Sequence, residues 1–175
     1  MAEAPTPPLR SSSEPWGLSD LTEKEQVSVD ISNKLMRFTI DVIKAAIRLG
    51  VPVALENPAT SIMWCIPELQ ALYRKGGSEI VTDFCQWGTA WRKSTKVWYW
   101  SVDLSCTAKR CTGKQVCSRT NQPHETLSGL NPAGQWKTKA AEAYPSRLTN
   151  QLAKCCVASA TLCRSRPKPT PAEHA

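Results

Sequence analysis

The feature that most limits how this chain can fold is a long amphipathic helix followed almost at once by a buried strand. Thr22, with Glu25 three positions later, forms the capping-box pattern that begins helices, and Gly50 is a typical stop. Between them, apolar residues recur at intervals of three and four, which predicts one buried helix face. These residues are Ile31, Leu35, Phe38, Val42, Ile43 and Ile47. A helix, a short turn and a buried strand indicate an α/β unit.

The strand ends in a polar triplet. Residues 51–55 are apolar throughout, as expected for a strand that is covered on both faces, and they are followed by Glu56, Asn57 and Pro58. In open α/β sheets, ligands bind just outside the carboxyl ends of the strands, which makes Glu56 a candidate site residue. The alternative is a polar strand exit that carries no chemistry.

The rest of the chain divides into an ordered middle and two atypical ends. The middle is predicted to contain a helix at 66–77, strands at 79–87 and 95–102, and a helical segment at 138–162. Residues 1–20 are a flexible or draped arm rich in Pro and Ser, and residues 163–175 are a basic, Pro-rich tail. We therefore expect a single α/β domain over residues 21–162, with residues 103–135 as a loop-rich region.

The charge of the chain is unevenly distributed. The formal net charge is +7, but residues 1–30 carry two basic and six acidic groups, whereas residues 106–175 carry eleven basic and three acidic groups. A basic half that also contains Trp suits a polyanionic partner, with nucleic acid the first candidate. The alternative is an ordinary solvated surface with a basic tail.

Cysteine usage points to thiols or metal ligands. The eight Cys accompany no export signal and no apolar run long enough to cross a membrane, so an intracellular location, nuclear or cytoplasmic, is expected. Cys106, Cys111, Cys117 and His124 follow one another with four, five and six residues between them. Four such ligands in one loop-rich segment could bind a structural zinc ion tetrahedrally. The alternative is free thiols and a surface histidine.

Three motifs in series resemble a known enzyme family. They are the strand that ends in Glu56-Asn57-Pro58, the segment 86–98 with its Trp-Gly turn, and the segment 144–156. In this order the chain resembles the C-terminal half of the cytosine-5 DNA methyltransferases, as found in polyprotein segments of retroelements and viruses. The resemblance implies an α/β fold, here a partial Rossmann-like methyltransferase domain with a Cys/His-rich loop insertion. It also implies S-adenosylmethionine as cofactor and DNA as partner.

The resemblance also implies roles for individual residues. Glu56 and Asn57 match the family's Glu-Asn pair, whose glutamate hydrogen-bonds the edge of a flipped cytosine. Pro58 replaces the usual Val. Arg92 and Lys96 loosely match basic residues that open the next strand, and with Lys93 they would hold phosphates. An ordinary solvated basic turn is the alternative for these three residues.

Two motifs of the family are missing from the sequence. No Pro-Cys pair supplies the nucleophile, and no glycine-rich loop follows a strand to bind the cofactor. We therefore expect an incomplete or degenerate catalytic domain, inactive as an isolated chain unless an upstream segment or a partner chain completes the site. The alternative from another class is a non-catalytic nucleic-acid-binding module of a mobile element, with a zinc site. A third is a remnant of such an element without a present role.

Overall fold

Three α-helices and three strands make up the described part of the fold. A computed structural model of the protein describes residues 7–164, with side chains up to residue 161. The elements are α1 (Glu23–Arg48), β1 (Val53–Pro58), α2 (Pro67–Arg74), β2 (Ser78–Asp83), β3 (Ser94–Trp100) and α3 (Ser146–Arg164). Residues 103–135, predicted to be loop-rich, contain one short 3₁₀ helix, Ser105–Thr107. The helical segment predicted over 138–162 begins with a 3₁₀ helix, Lys137–Ala141, and is α-helical only from Ser146. The predicted tail lies almost wholly outside the described residues.

The sheet has the strand order β1-β3-β2, and both pairings are antiparallel. In the central strand, Val97 is paired with Glu56 of β1 on one side and with Ile80 of β2 on the other. Since β1 and β2 both run opposite to β3, their carboxyl ends share one end of the sheet with the start of β3. Glu56 and the basic turn before β3 therefore lie at the same end.

The prediction of a mixed helix and sheet fold is confirmed, but the sheet is small and antiparallel. Within residues 7–164, no two neighbouring strands run parallel, as those of a doubly wound Rossmann sheet do. The physical reason is the link between β2 and β3. It holds only a short 3₁₀ helix (Phe84–Trp87) and a turn, whereas a parallel crossover needs a dozen or more residues.

Helices cover both faces of the sheet. Side chains alternate along β3, so Trp98 and Trp100 face α1 and α2, whereas Val97 and Tyr99 face α3. On the first face the core consists of Ile40, Ile43, Trp64, Ile66, Leu69, Trp98 and Trp100. On the second face, Ile80, Val97, Tyr99 and Leu104 pack with Leu152 of α3. The prediction of a first strand buried on both faces is wrong: β1 is an edge strand, none of its residues is fully buried, and Ala54 on the α3 face is exposed.

The ends of α1 are as predicted, but of the six apolar residues predicted to form its buried face, only Ile43 and Ile47 face the core. The Thr22 hydroxyl accepts from the Glu25 N–H and the Glu25 carboxylate accepts from the Thr22 N–H, so the capping box is formed. However, the row Ile31, Leu35, Phe38 and Val42, here called the outer row, is exposed. The residues that face the core are Val29, Met36, Ile40, Ile43 and Ile47. The helix carries two apolar rows, and periodicity alone does not tell which of them is buried.

The N-terminal arm lies along α1 over its described part. The Arg10 guanidinium donates to the Pro15 carbonyl and to Asn33 Oδ1, both at 2.8 Å. The Asn33 amide in turn donates to the Trp16 carbonyl at 2.7 Å. Close packing requires glycine at position 17, where a Cβ atom would come within 2.8 Å of a Val29 methyl group. The draped alternative for the arm therefore holds for residues 7–20.

Candidate metal centre

The short 3₁₀ helix after β2 brings a cysteine to the end of the sheet. The sequence pattern predicts a strand up to residue 87, but β2 ends at Asp83 and Phe84–Trp87 turns as a 3₁₀ helix. Phe84 and Trp87 pack against Leu148 of α3. Cys85 instead packs with Cys111 and Cys117 in a small buried cluster.

Four side chains converge there to form a cluster that could hold a metal ion. The ligand atoms of Cys85, Cys111, Cys117 and His124, here called the metal cluster, all lie within 4.8 Å of one another. Cys111 Sγ lies 3.6 Å from His124 Nε2. In a tetrahedral zinc site with Zn–S of ~2.3 Å and Zn–N of ~2.1 Å, neighbouring ligand atoms are roughly 3.5–3.8 Å apart. The cluster therefore has nearly the required size, and its three thiols are buried.

The backbone of residues 111–124, here called the metal loop, is folded by its own hydrogen bonds. The Cys117 N–H donates to the Gln122 carbonyl, and the Asn121 N–H donates back to the Cys117 carbonyl, both at 2.8 Å. Asn121 has φ of 54°, a left-handed conformation that Asn tolerates. At Gly113, a Cβ atom would stand 1.7 Å from the Val116 carbonyl oxygen, so the loop needs glycine there. Three ligands are thus positioned by one compact turn.

Asp83 fixes the position of Cys111. Its Oδ2 accepts from the Cys111 N–H at 2.7 Å and from Arg110 Nε at 3.2 Å, and Arg92 Nη2 lies 3.5 Å away. The carboxylate is fully buried. Burial opposes its ionisation, but hydrogen bonds from the Cys111 N–H and from Ser94, together with the two guanidinium groups, outweigh burial and lower the pKa of Asp83. A buried anion therefore ties the metal loop to the end of β2.

Hydrogen bonds around the sulfur atoms favour thiolates at two of the three cysteines. Burial opposes ionisation of Cys111, but the N–H and hydroxyl groups of Ser118 lower the pKa of its thiol to about 6. Burial also opposes ionisation of Cys117, and backbone N–H groups of the next turn lower its pKa to about 7. Burial raises the pKa of Cys85 to about 12. Metal ligation requires the deprotonated thiolate, so an incoming cation would have to displace the Cys85 proton.

The structure brings together three of the four metal ligands predicted from the sequence. Cys111, Cys117 and His124 belong to the metal cluster, but Cys106 does not. Cys106 Sγ lies 3.3 Å from Cys155 Sγ of α3. Sequence reasoning missed Cys85 because it considered only one loop-rich segment and assigned Cys85 to a strand interior. An isolated Cys beside a turn was the available signal.

Glu56 and Asn57, the predicted base-reading pair, lie on opposite faces of the sheet. Glu56 faces α3, where the Tyr144 hydroxyl donates to its Oε2. Its buried Oε1 has no hydrogen-bond partner in the described part of the chain. A cavity of about 200 Å³, lined mainly by apolar side chains, adjoins this carboxylate. The Asn57 amide donates to Met63 Sδ at 3.3 Å on the other face.

The three predicted phosphate-binding residues all contact protein groups. Arg92, besides its contact with Asp83, donates to the Gly113 carbonyl at 3.2 Å. Lys93 donates to the Ala141 carbonyl at 3.2 Å. Lys96 lies on the α1 and α2 face, 3.1 Å from the Glu79 carboxylate. The three cations therefore do not form one surface, and their predicted role in phosphate binding stays a prediction.

None of the helices in the described part of the chain has the length and apolar character needed to cross a bilayer.

Comparison with protein-family models, with curated proteins and with solved structures finds no match for this chain. The function is therefore inferred from the site itself.

Proposed function

We propose that this chain is a zinc-stabilised module that binds nucleic acid. The observation that carries the proposal is the metal cluster. In this cluster Cys85, next to β2, lies beside three ligands of the metal loop, which begins more than twenty residues later in the sequence. The module would use the metal to hold that loop in one conformation. The loop would present basic side chains to a polyanion.

The ligand set favours zinc and a structural role. Thiolates and imidazole are the ligands that zinc prefers, and a Cys₃His set is typical of structural sites. Four protein ligands fill the tetrahedral shell, whereas catalytic zinc keeps one position for water or substrate. The ion would therefore act on folding. Asp83 would act as the outer partner that orients a ligand-bearing segment.

The charge of the surrounding segment favours nucleic acid as the partner. Lys109, Arg110, Lys114 and Arg119 fall within eleven residues that contain no acidic group, and all four are exposed. Among the described residues, one of these four cations, Arg110, has a carboxylate partner, Asp83. Trp136, on the same long loop, is also exposed. Cations that contact phosphates, together with an aromatic ring on which a base can stack, are the usual elements of single-strand recognition.

Binding can be tested by fluorescence anisotropy with labelled single-stranded and duplex DNA across a salt series. We expect log K to fall linearly with log salt, because bound phosphates release counterions. Lys114→Glu should weaken binding and reduce the slope by roughly one phosphate contact. Lys75→Glu, at the exposed end of α2, is the matched control. Absence of salt-dependent binding, or equal effects of the two variants, would contradict the proposal.

A second candidate is the methyltransferase-like, Rossmann-related domain that the sequence resembles. The observation in its favour is Glu56 Oε1, which lies beside the cavity and has no hydrogen-bond partner among the described residues. Lys93 lies near the Tyr144 ring that contacts the same carboxylate. A group that presents a hydrogen-bond donor could satisfy that oxygen. Isothermal titration with S-adenosylmethionine tests the cofactor, and transfer of labelled methyl groups to DNA tests the reaction. We expect no transfer by the isolated chain, because the sequence lacks the Pro-Cys nucleophile.

A further inference from the structure

The outer row of α1 is an apolar surface that the described part of the chain, residues 7–164, leaves exposed. Its members have exposed fractions of 57% for Ile31, 66% for Leu35, 68% for Phe38 and 45% for Val42. Leu49, just past the helix, extends the row with 70% exposed. Soluble monomers rarely expose contiguous apolar surface of this extent, so such a surface is typical of an interaction site.

The spacing of the outer row is that of a coiled-coil seam. Positions 31, 35, 38 and 42 alternate steps of four and three, and Ala45 and Leu49 continue the alternation. This is the a/d pattern by which two helices pack along their length. The core is formed by the other apolar row of α1, and no outer-row residue belongs to a hydrophobic cluster of the described residues. The helix has 26 residues and is therefore roughly 39 Å long, enough for several layers of contact.

Charges beside the outer row indicate which partner helix fits. Lys34 and Asp41 lie on the same side of the row, two turns apart. If a second α1 packs antiparallel, Leu35 of one copy lies opposite Phe38 of the other, and Ile31 lies opposite Val42. In that register Lys34 faces Asp41 of the other copy, twice by symmetry. A parallel pair in register would leave both charges without an opposite charge.

The monomer leaves Asp41 available for this pairing. Its contact is an exposed ion pair with Lys44 at 3.2 Å, a type of pair that contributes little. The remaining surface of α1 mixes both signs, with Glu23, Glu25 and Asp30 among its acidic groups. Helices that bind membrane surfaces instead carry mostly Lys and Arg on the polar face. The charge pattern therefore favours a protein helix as the occupant.

We propose that the outer row of α1 is the interface of an antiparallel homodimer. The two copies would be related by a twofold axis that passes between Leu35 and Phe38. The interface is independent of the proposed metal cluster and of nucleic-acid binding.

Sedimentation equilibrium on the full chain, from roughly 1 to 100 µM, tests the apolar contact in the range where moderate affinities are measurable. We expect a monomer–dimer equilibrium. Leu35→Gln should raise its dissociation constant by roughly tenfold or more, as for a central interface side chain. Val157→Gln, at an exposed apolar position of α3, is the matched control and should leave the equilibrium unchanged. Far-UV circular dichroism should show that both variants keep their helix content.

A charge reversal tests the identity of the partner. Asp41→Lys should weaken the dimer, because it places two Lys pairs across the interface. The double variant Lys34→Asp with Asp41→Lys should restore it, since opposite charges again face each other. A monomer over the whole concentration range would overturn the proposal, as would a double variant as weak as the single one. Binding of α1 to anionic phospholipid vesicles without self-association would also overturn it.

Discussion

Replacing Cys85 should abolish metal binding, whereas replacing Cys106 should not. Cys85 is fully buried and belongs to the metal cluster, while Cys106 is exposed and contacts Cys155. A structural zinc that binds only the folded chain stabilises it by ~4 kcal/mol when free zinc is about 1,000 times the dissociation constant. For a chain of this size that is roughly 8–16 °C in Tm. Cys85→Ser should lose most of that difference, since three ligands no longer close the tetrahedron.

The assay combines metal analysis by mass spectrometry with thermal unfolding, each with and without a chelator. The wild type and Cys106→Ser should carry about one equivalent of zinc and lose stability on chelation. Cys85→Ser should carry little zinc and melt at the same temperature in both conditions. If Cys85→Ser keeps the metal and Cys106→Ser loses it, the ligand set is wrong. A metal-free wild type with an unchanged melting curve would refute the site altogether.

Three further predictions concern the surroundings of the site. In chelated protein, the pKa of Cys111 is lowered to about 6 and that of Cys117 to about 7, whereas the ordinary thiol pKa is 9.0. The two thiolates therefore contribute their full stabilisation when the pH is above 9.0. This stabilisation is lost as the pH falls through 7 and then 6. The free energy of unfolding measured in urea should therefore be smaller at pH 6 than at pH 8, and Cys111→Ser should reduce that difference. Asp83→Asn should lower the free energy of unfolding by about 1–3 kcal/mol, because it removes the buried anion between two guanidinium groups. It should also weaken zinc binding by about 10–100-fold, as measured by chelator competition. Oxidation by diamide, which takes up the two thiol hydrogens, should form a disulfide between Cys106 and Cys155. Peptide mapping that finds neither residue in a disulfide would contradict that pairing.

Local signals in the sequence were sufficient to predict the three helices and the succession of three strands along the chain, but not the order of the strands in the sheet. The capping box at Thr22 and the stop at Gly50 define α1 because both act within a few residues of the helix ends. Pro67 begins α2 because its missing N–H is not needed in the first turn. The direction of strand pairing was not predictable in this way. An apolar run such as that of β1 fits a parallel or an antiparallel neighbour equally well once helices cover both faces.

The candidate site was predictable only in its contiguous part. Cys111, Cys117 and His124 lie on one loop, and their clustering in the sequence was enough to suggest a metal. Cys85 is 26 positions before the first of them and joins the cluster only because β2 turns into a 3₁₀ helix beside the loop. Cys106 was the nearer residue along the chain, but it lies against α3. Proximity that arises from tertiary packing cannot be read from the spacing of residues along the chain.

The central position of β3 has a consequence for the order of folding during synthesis. Neither β1 nor β2 can pair until β3 has been made, since both hydrogen-bond only to it within the sheet. At ~5–20 residues per second, the ribosome needs roughly 2–8 s to extend the chain from Pro58 to Trp100. β2 and β3 then meet across a short connection, whereas β1 must close a much longer loop. A nascent chain therefore carries α1, β1 and α2 for seconds before Trp98 and Trp100 are present to complete the core that these elements share.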